Sequence, residues 1–199
     1  MSVDLATFLK HRLAVRTRDT PHIEGFRRAA ILVPILNTPR GYEILLTVRA
    51  EHLKNHAGEI AFPGGRVDDG ETIEAAARRE MREEVGVDVH DDAILGLLDD
   101  APTPARYMVT PVVAVFDEPQ GFRLQASEVG EVFTASLKVL SETAPRAESR
   151  ILEGHRRTIY FYPYEGRMIW GFTGVVLKTL LDILAERRDL LGFQPPKVD

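Results

Sequence analysis

Glu80, Glu83 and Glu84 lie in the segment Thr72–Val85, whose apolar residues recur at helical spacing until Gly86 stops the run. On a helix that turns about 100° per residue, with Ile73 set at zero, Ala76, Ala77, Met81 and Val85 share one arc, the face meant for a core. Glu84, at about 20°, and Glu80, at about 340°, fall inside that arc, and Glu83, at about 280°, flanks it. Arg78, Ala75, Arg82 and Arg79 take the opposite side. Two like charges four residues apart on an apolar face would both titrate well above the usual carboxylate range unless a cation sat between them. A hard divalent ion that prefers oxygen ligands, Mg²⁺ or Mn²⁺, resolves that conflict. Glu83 also has a plainer reading, an i,i+4 ion pair with Arg79 worth about 0.2–0.5 kcal/mol.

The residues ahead of this helix add to the case. Phe62-Pro63-Gly64-Gly65 reads as a tight turn whose glycines, lacking a Cβ, let backbone carbonyls approach a ligand closely. Alone it would be only a turn. Together with the helix it completes Gly65-(x5)-Glu71-(x7)-Arg79-Glu80-Met81-Arg82-Glu83-Glu84-Val85-Gly86-Val87, which resembles the Nudix box at each fixed position over residues 65–87. Met81 fills a slot where leucine or isoleucine is commoner. The resemblance implies a loop–helix–loop catalytic unit on a Nudix-type α/β/α sandwich with a mixed β-sheet. It implies that Glu80, Glu83, Glu84 and the carbonyl of Gly64 hold the metal, while Glu71 and Arg79 brace the loop on the helix. The reaction it implies is hydrolysis of a diphosphate bond by a metal-activated water, without a side-chain nucleophile. The general base stays open among Glu83, Glu128 and Glu131; the last two also read as a loop acid and a strand-edge charge.

A second resemblance bears on the substrate. Leu45-Leu46-Thr47-Val48-Arg49-Ala50-(x3)-Lys54-(x3)-Gly58-(x3)-Phe62-Pro63-Gly64-Gly65 is similar to the signature of the coenzyme A pyrophosphatase branch of that family. Val109–Val113 and Ile169–Thr173 also look like that branch, so the likeness extends over most of residues 27–185. The branch prefers arginine where this chain has Lys54, which keeps the charge but loses the bidentate fork. The resemblance implies cleavage of coenzyme A, a small-molecule partner, to 3′,5′-ADP and 4′-phosphopantetheine. Arg49, Lys54 and Arg66, close to the expected metal loop, are candidate phosphate binders, each with a plainer reading as a surface cation. His56 reads as loop packing rather than a catalyst. Two other functions compete: a Nudix hydrolase of other nucleoside diphosphate derivatives, and a non-catalytic Nudix-fold ligand sensor. The sensor is disfavoured because such modules usually lose box acids that this chain keeps. Neither GxxxxGK[ST] nor GxSxG occurs, which excludes a P-loop enzyme and an elbow-type serine hydrolase.

These residues need a scaffold. The spacing predicts a leading helix over 4–14 and buried strands at Arg28–Leu36 and Tyr42–Val48, with a brief strand near Ile60–Phe62. Further strands are expected at Ala93–Leu98, Val109–Phe116, Val129–Phe133 and Thr158–Tyr164. An amphipathic helix at Phe172–Arg188 should close the fold, before a frayed tail at Gln194–Asp199. Strands and helices alternate irregularly, which favours a mixed sheet between helices over a doubly wound one. The division expected is a lead-in over 1–26, the Nudix domain over 27–191 and a tail over 192–199. A chain of 199 residues, 44% hydrophobic and 28% charged, fits one domain with a real core. With a net charge of −5 and no run of Lys and Arg longer than two, no nucleic-acid partner is expected. The absence of cysteine removes disulfides and thiolate chemistry. The first residues lack a signal-peptide apolar run, and the best apolar stretch, Gly174–Leu184, is too short to span a bilayer. A cytoplasmic protein without a membrane partner is the expectation.

Overall fold

The computed structural model describes residues 4–152 and 155–192. The first helix, α1 (Leu5–Val15), is capped by the Asp4 carboxylate, which accepts the Thr7 N–H at 2.7 Å. Then come β1 (Arg27–Thr38), β2 (Gly41–Arg49), β3 (Ile60–Ala61), β4 (Gly64–Arg66) and α2 (Ile73–Val85). A 3₁₀ turn leads to β5 (Ile94–Leu97), β6 (Ala101–Pro102), β7 (Tyr107–Asp117), β8 (Val129–Ser136) and α3 (Leu137–Glu142). The chain continues through β9 (Arg146–Leu152), β10 (His155–Tyr164), β11 (Arg167–Ile169) and α4 (Gly171–Leu184), then a 3₁₀ segment, Ala185–Leu191.

Eight of the described strands form one sheet, ordered β3-β2-β1-β7-β5, with β4 added to β1, β6 to β7 and β8 to β2. The β1–β7 pair is parallel and the other pairs antiparallel, so the sheet is mixed. Alternation along β1 and β2 divides the core between two faces. Ala30, Leu32, Leu36 and Leu45 pack on Ala76, Ala77, Met81 and Val85 of α2. Val33, Ile35, Ile44 and Leu46 pack on the other side, with Leu5, Leu9 and Leu13 of α1 and Leu177, Leu180 and Leu184 of α4. Helices thus cover both faces of one sheet, which is the expected α/β/α sandwich. The hairpin β9–β10 and the short β11 form a separate three-stranded sheet.

The expected final helix is shorter than its apolar pattern. It leaves α geometry after Leu184 and continues as a 3₁₀ segment in which Arg187 has φ −142°. Beyond it, Leu190 and Leu191 still reach the core from that segment. β4, β6, α3, β9 and β11 were not expected from the sequence. β4 is two glycines and an arginine, so it has no side-chain alternation, and β9 (RAESRIL) begins with a polar, charged run rather than an apolar one. The tail expected at Gln194–Asp199 lies outside the described residues.

Candidate active site

Helix α2 is fixed at both ends. Thr72 accepts the Ala75 N–H at 3.1 Å, and Gly86, at φ +77°, takes the left-handed conformation that closes the helix. Between those caps Glu84 is buried, only 4% exposed, Glu80 is half-buried and Glu83 is exposed. The order follows the helical arc on which each residue falls.

β4 brings the glycine turn against these carboxylates. The Gly64 N–H donates to Glu84 Oε2 at 3.3 Å. A Cβ on Gly65 would stand 2.3 Å from Glu80 Oε1, and one on Gly64 would stand 2.4 Å from the Ala30 carbonyl oxygen. Burial pushes the Glu84 carboxyl up to about 8, helped by the charges of Glu80 and Glu128 and opposed by the Gly64 amide and Arg49. Burial also raises Glu80, while its bond to Arg79 pulls the other way.

Arg79 gathers the loop and the helix at one guanidinium. Nε and Nη2 each donate to the Glu71 carboxylate at 3.0 Å, and Nη2 also donates to the Arg66 carbonyl at 2.9 Å. Nη1 donates to Glu80 at 2.8 Å and to Glu83 at 3.4 Å. These bonds hold Glu71 below the usual glutamate range. Among the described residues, no three carboxylate or imidazole side chains are already gathered around one point. Arg79 holds Glu80 and Glu83 on its side, and Glu84 turns to Gly64.

Glu128 and Glu131 have different surroundings. The Gln125 N–H donates to the Glu84 carbonyl at 3.0 Å and the Arg123 N–H to the Val85 carbonyl at 2.8 Å, so the loop before β8 is pinned to the end of α2. The Glu128 carbonyl in turn accepts the Ala50 N–H at 2.9 Å. Glu128 is thereby held where its charge raises both Glu80 and Glu84. Glu131 instead has both oxygens bound by Arg167, at 2.9 and 2.7 Å. No sequence pattern announced the backbone contacts that carry Glu128 to the site.

The candidate cations are similarly sorted. Arg49 ends β2 with its Nε buried and without a partner, and its charge stabilises ionised Glu84. Arg66 is exposed on β4, with its guanidinium 5.8 Å from the centre of the Tyr107 ring. Lys54 is exposed on the loop after β2 and makes no side-chain hydrogen bond or ion pair with the described residues. His56 pairs with Glu59 at 2.8 Å within that loop.

A family model described as the NUDIX domain matches residues 25–159, more than half of the chain. The chain belongs to the Nudix family. A relative named "Uncharacterized Nudix hydrolase NudL", from an Escherichia coli strain, is 34% identical over 183 residues, 90% of this chain and 94% of that one. Among solved structures, a MutT/nudix family protein from Enterococcus faecalis is similar at a TM-score of 0.54 and 19% identity, over 95% of this chain and 74% of that chain. A Nudix hydrolase from M. smegmatis, RenU, has the same TM-score at 18% identity, over 81% and 87%. At such identities these likenesses speak for the Nudix fold alone. Family membership makes the chain a Nudix-type diphosphate hydrolase, and members of this family typically use a divalent metal. None of the described helices is long and apolar enough to cross a membrane.

Proposed function

We propose that this Nudix hydrolase cuts the diphosphate bond of a nucleoside-diphosphate-linked compound, using Mg²⁺ or Mn²⁺ held by Glu80, Glu83, Glu84 and the Gly64 carbonyl. The observation that carries the reading is the burial of the Glu84 carboxylate beside Glu80 and the glycine turn, in surroundings that hold its proton to about 8. A donor set of carboxylates and a carbonyl suits a hard divalent cation, whose charge favours the ionised form of both buried acids. When bound, that ion would supply a water acidic enough to attack near neutral pH and would neutralise the diphosphate oxygens.

The chain's own residues do the rest. Glu71 and Arg79 hold the loop at a fixed distance from the helix, so that Gly64 and the box acids keep one geometry. We assign Glu128 as the general base, because its charge reaches Glu80 and Glu84, whereas Glu131 is closed by Arg167. Glu128 takes one proton of the attacking water as the water oxygen bonds to phosphorus and the bridging P–O bond breaks. Arg49, partly exposed beside Glu84 and with its Nε left without a protein partner, offers its guanidinium to a phosphate oxygen.

The broad form of this reading needs only the site itself and is the better supported. Within it, the substrate we propose is coenzyme A, on the strength of the segment from Leu45 to Gly65. Lys54, in place of the arginine of that signature, favours the broader form. Incubation with Mg²⁺ and a panel of coenzyme A and nucleoside diphosphate compounds in ¹⁸O-labelled water separates the two. The expected result is 3′,5′-ADP and 4′-phosphopantetheine, with label in a phosphate group. Cleavage of other nucleoside diphosphates in preference leaves only the broad form. Release of a thiol from an acyl form, with the diphosphate intact, removes both.

A further inference from the structure

The site described so far lies on the α2 face of the sheet. On the opposite face, at the start of β1, a second group of charges has no counterpart in the catalytic reading. Arg27 and Tyr107 are direct partners in the parallel β1–β7 pair, and Ala29 partners Arg66 across β1–β4. Residues 27 and 29 share a face of β1, so Arg27, Arg66 and Tyr107 come together. The Arg27 guanidinium lies 4.4 Å from the centre of the Tyr107 ring and that of Arg66 lies 5.8 Å from it. Next to them Arg106 lies 5.9 Å from the Phe26 ring.

The arginines at this end of the sheet differ in one respect. Arg28 is committed to Thr110 at 3.0 Å and Asp100 at 3.7 Å. Arg27, Arg66 and Arg106 are exposed, and no carboxylate of the described residues lies within ion-pair distance of them. In a chain of net charge −5 that is an uncompensated local positive field. Each guanidinium lies within cation–π reach of its ring, and its planar fork of N–H donors suits a phosphate, which can take two parallel bonds. Such forks are donors only. They match a ligand made of acceptors, a phosphate, rather than a nucleobase, which also presents donors.

Position narrows the choice of phosphate. Arg66 directly follows Gly65, which faces Glu80, but it points to the other side of the sheet. Arg27 lies two residues beyond the Ala29–Arg66 pairing, about 6–7 Å at the usual rise of a strand. The patch therefore lies on the other side of the sheet from the atoms being cut, and begins one residue after the glycine that faces Glu80. We propose that Arg27, Arg66 and Arg106, braced by Tyr107 and Phe26, bind a phosphomonoester carried on the nucleoside part of the substrate, separate from the scissile diphosphate. This rests on the reading of the box acids as the hydrolytic site. It adds a residue set that selects substrates bearing this extra phosphate.

The test compares ligands that differ only in that group. In calorimetric titrations with Mg²⁺ present, 3′,5′-ADP and 5′-AMP can be compared directly, since neither has a diphosphate bond to cut. Wild type is expected to prefer 3′,5′-ADP, and Arg27→Gln and Arg106→Gln should each reduce that preference by about tenfold, with Arg27→Lys losing less. In turnover, the ratio of kcat/KM for coenzyme A over dephospho-coenzyme A should fall by the same factor. No preference in the wild type, or equal weakening of both ligands in the variants, overturns the proposal. An enzyme that cleaves coenzyme A with an unchanged ratio in Arg27→Gln also overturns it, while leaving the proposed function intact. A protein that fails to cleave coenzyme A but shows an Arg27-dependent preference for 3′,5′-ADP removes the coenzyme A reading and leaves the patch.

Discussion

The Gly64 amide donates to the Glu84 carboxylate at 3.3 Å, a single bond between the glycine turn and the most buried acid of the helix. It tethers a carboxylate that burial and the charges of Glu80 and Glu128 press toward its neutral form, against the charge of Arg49. Substituting the acid therefore tests the site at its centre. Glu84→Gln and Glu80→Gln should each lower kcat by at least about 10²-fold, and chelation of Mg²⁺ should abolish turnover. Steady-state kinetics beside circular dichroism checks this. Near-normal turnover in both variants would sink the metal site.

The pH dependence of stability has a definite sign. The Glu84 carboxyl is raised to about 8 in the fold, so the folded protein holds this proton more tightly than the unfolded chain. Its contribution is complete below the unfolded glutamate value, shrinks as pH rises, and is gone once pH passes about 8. Metal-free protein should therefore lose Tm across that window, and Glu84→Gln, which cannot ionise, should lose less. Thermal scans in chelator from pH 5 to 9 measure both slopes. Parallel slopes would mean that Glu84 titrates normally.

Adjacent glycines should respond differently to a methyl group. At Gly64 the new Cβ meets backbone, the Ala30 carbonyl oxygen at 2.4 Å, which cannot yield without moving β1. Gly64→Ala should destabilise by about 1–3 kcal/mol, read from urea denaturation. At Gly65 it meets the end of a flexible side chain, Glu80 Oε1 at 2.3 Å. Gly65→Ala should keep most of the stability and lose activity, because the displaced group is an acid of the site. The reverse pattern would contradict the geometry.

For the cations, Arg49→Ala should lower kcat/KM for the diphosphate substrate on the order of 10–100-fold, since a charge-assisted contact is worth roughly 1.5–3 kcal/mol. Lys54→Ala should lower it less, and Lys54→Arg should equal or exceed wild type if coenzyme A is the substrate. Wild-type kcat/KM in both alanine variants would leave the phosphates without these partners.

Much of this was legible in the residues alone. Helical period placed Glu80 and Glu84 on the core side of α2 before any contact was known, because side-chain direction on a helix depends only on spacing. Near-continuous apolar runs likewise marked β1 and β2 as buried strands, as a sheet covered by helices on both faces requires. Contacts between distant segments were not legible, since they depend on where loops and strands meet. Glu128 and Glu131 look alike in sequence, and only the pinning of residues 123–128 to the end of α2, against the Arg167 pair on β11, separates them. Arg27, Arg66 and Tyr107 lie far apart in the chain and share no periodic pattern. The pairing of β4 and β7 with the same end of β1 brings them to one ring, and pairing register is a property of the assembled sheet.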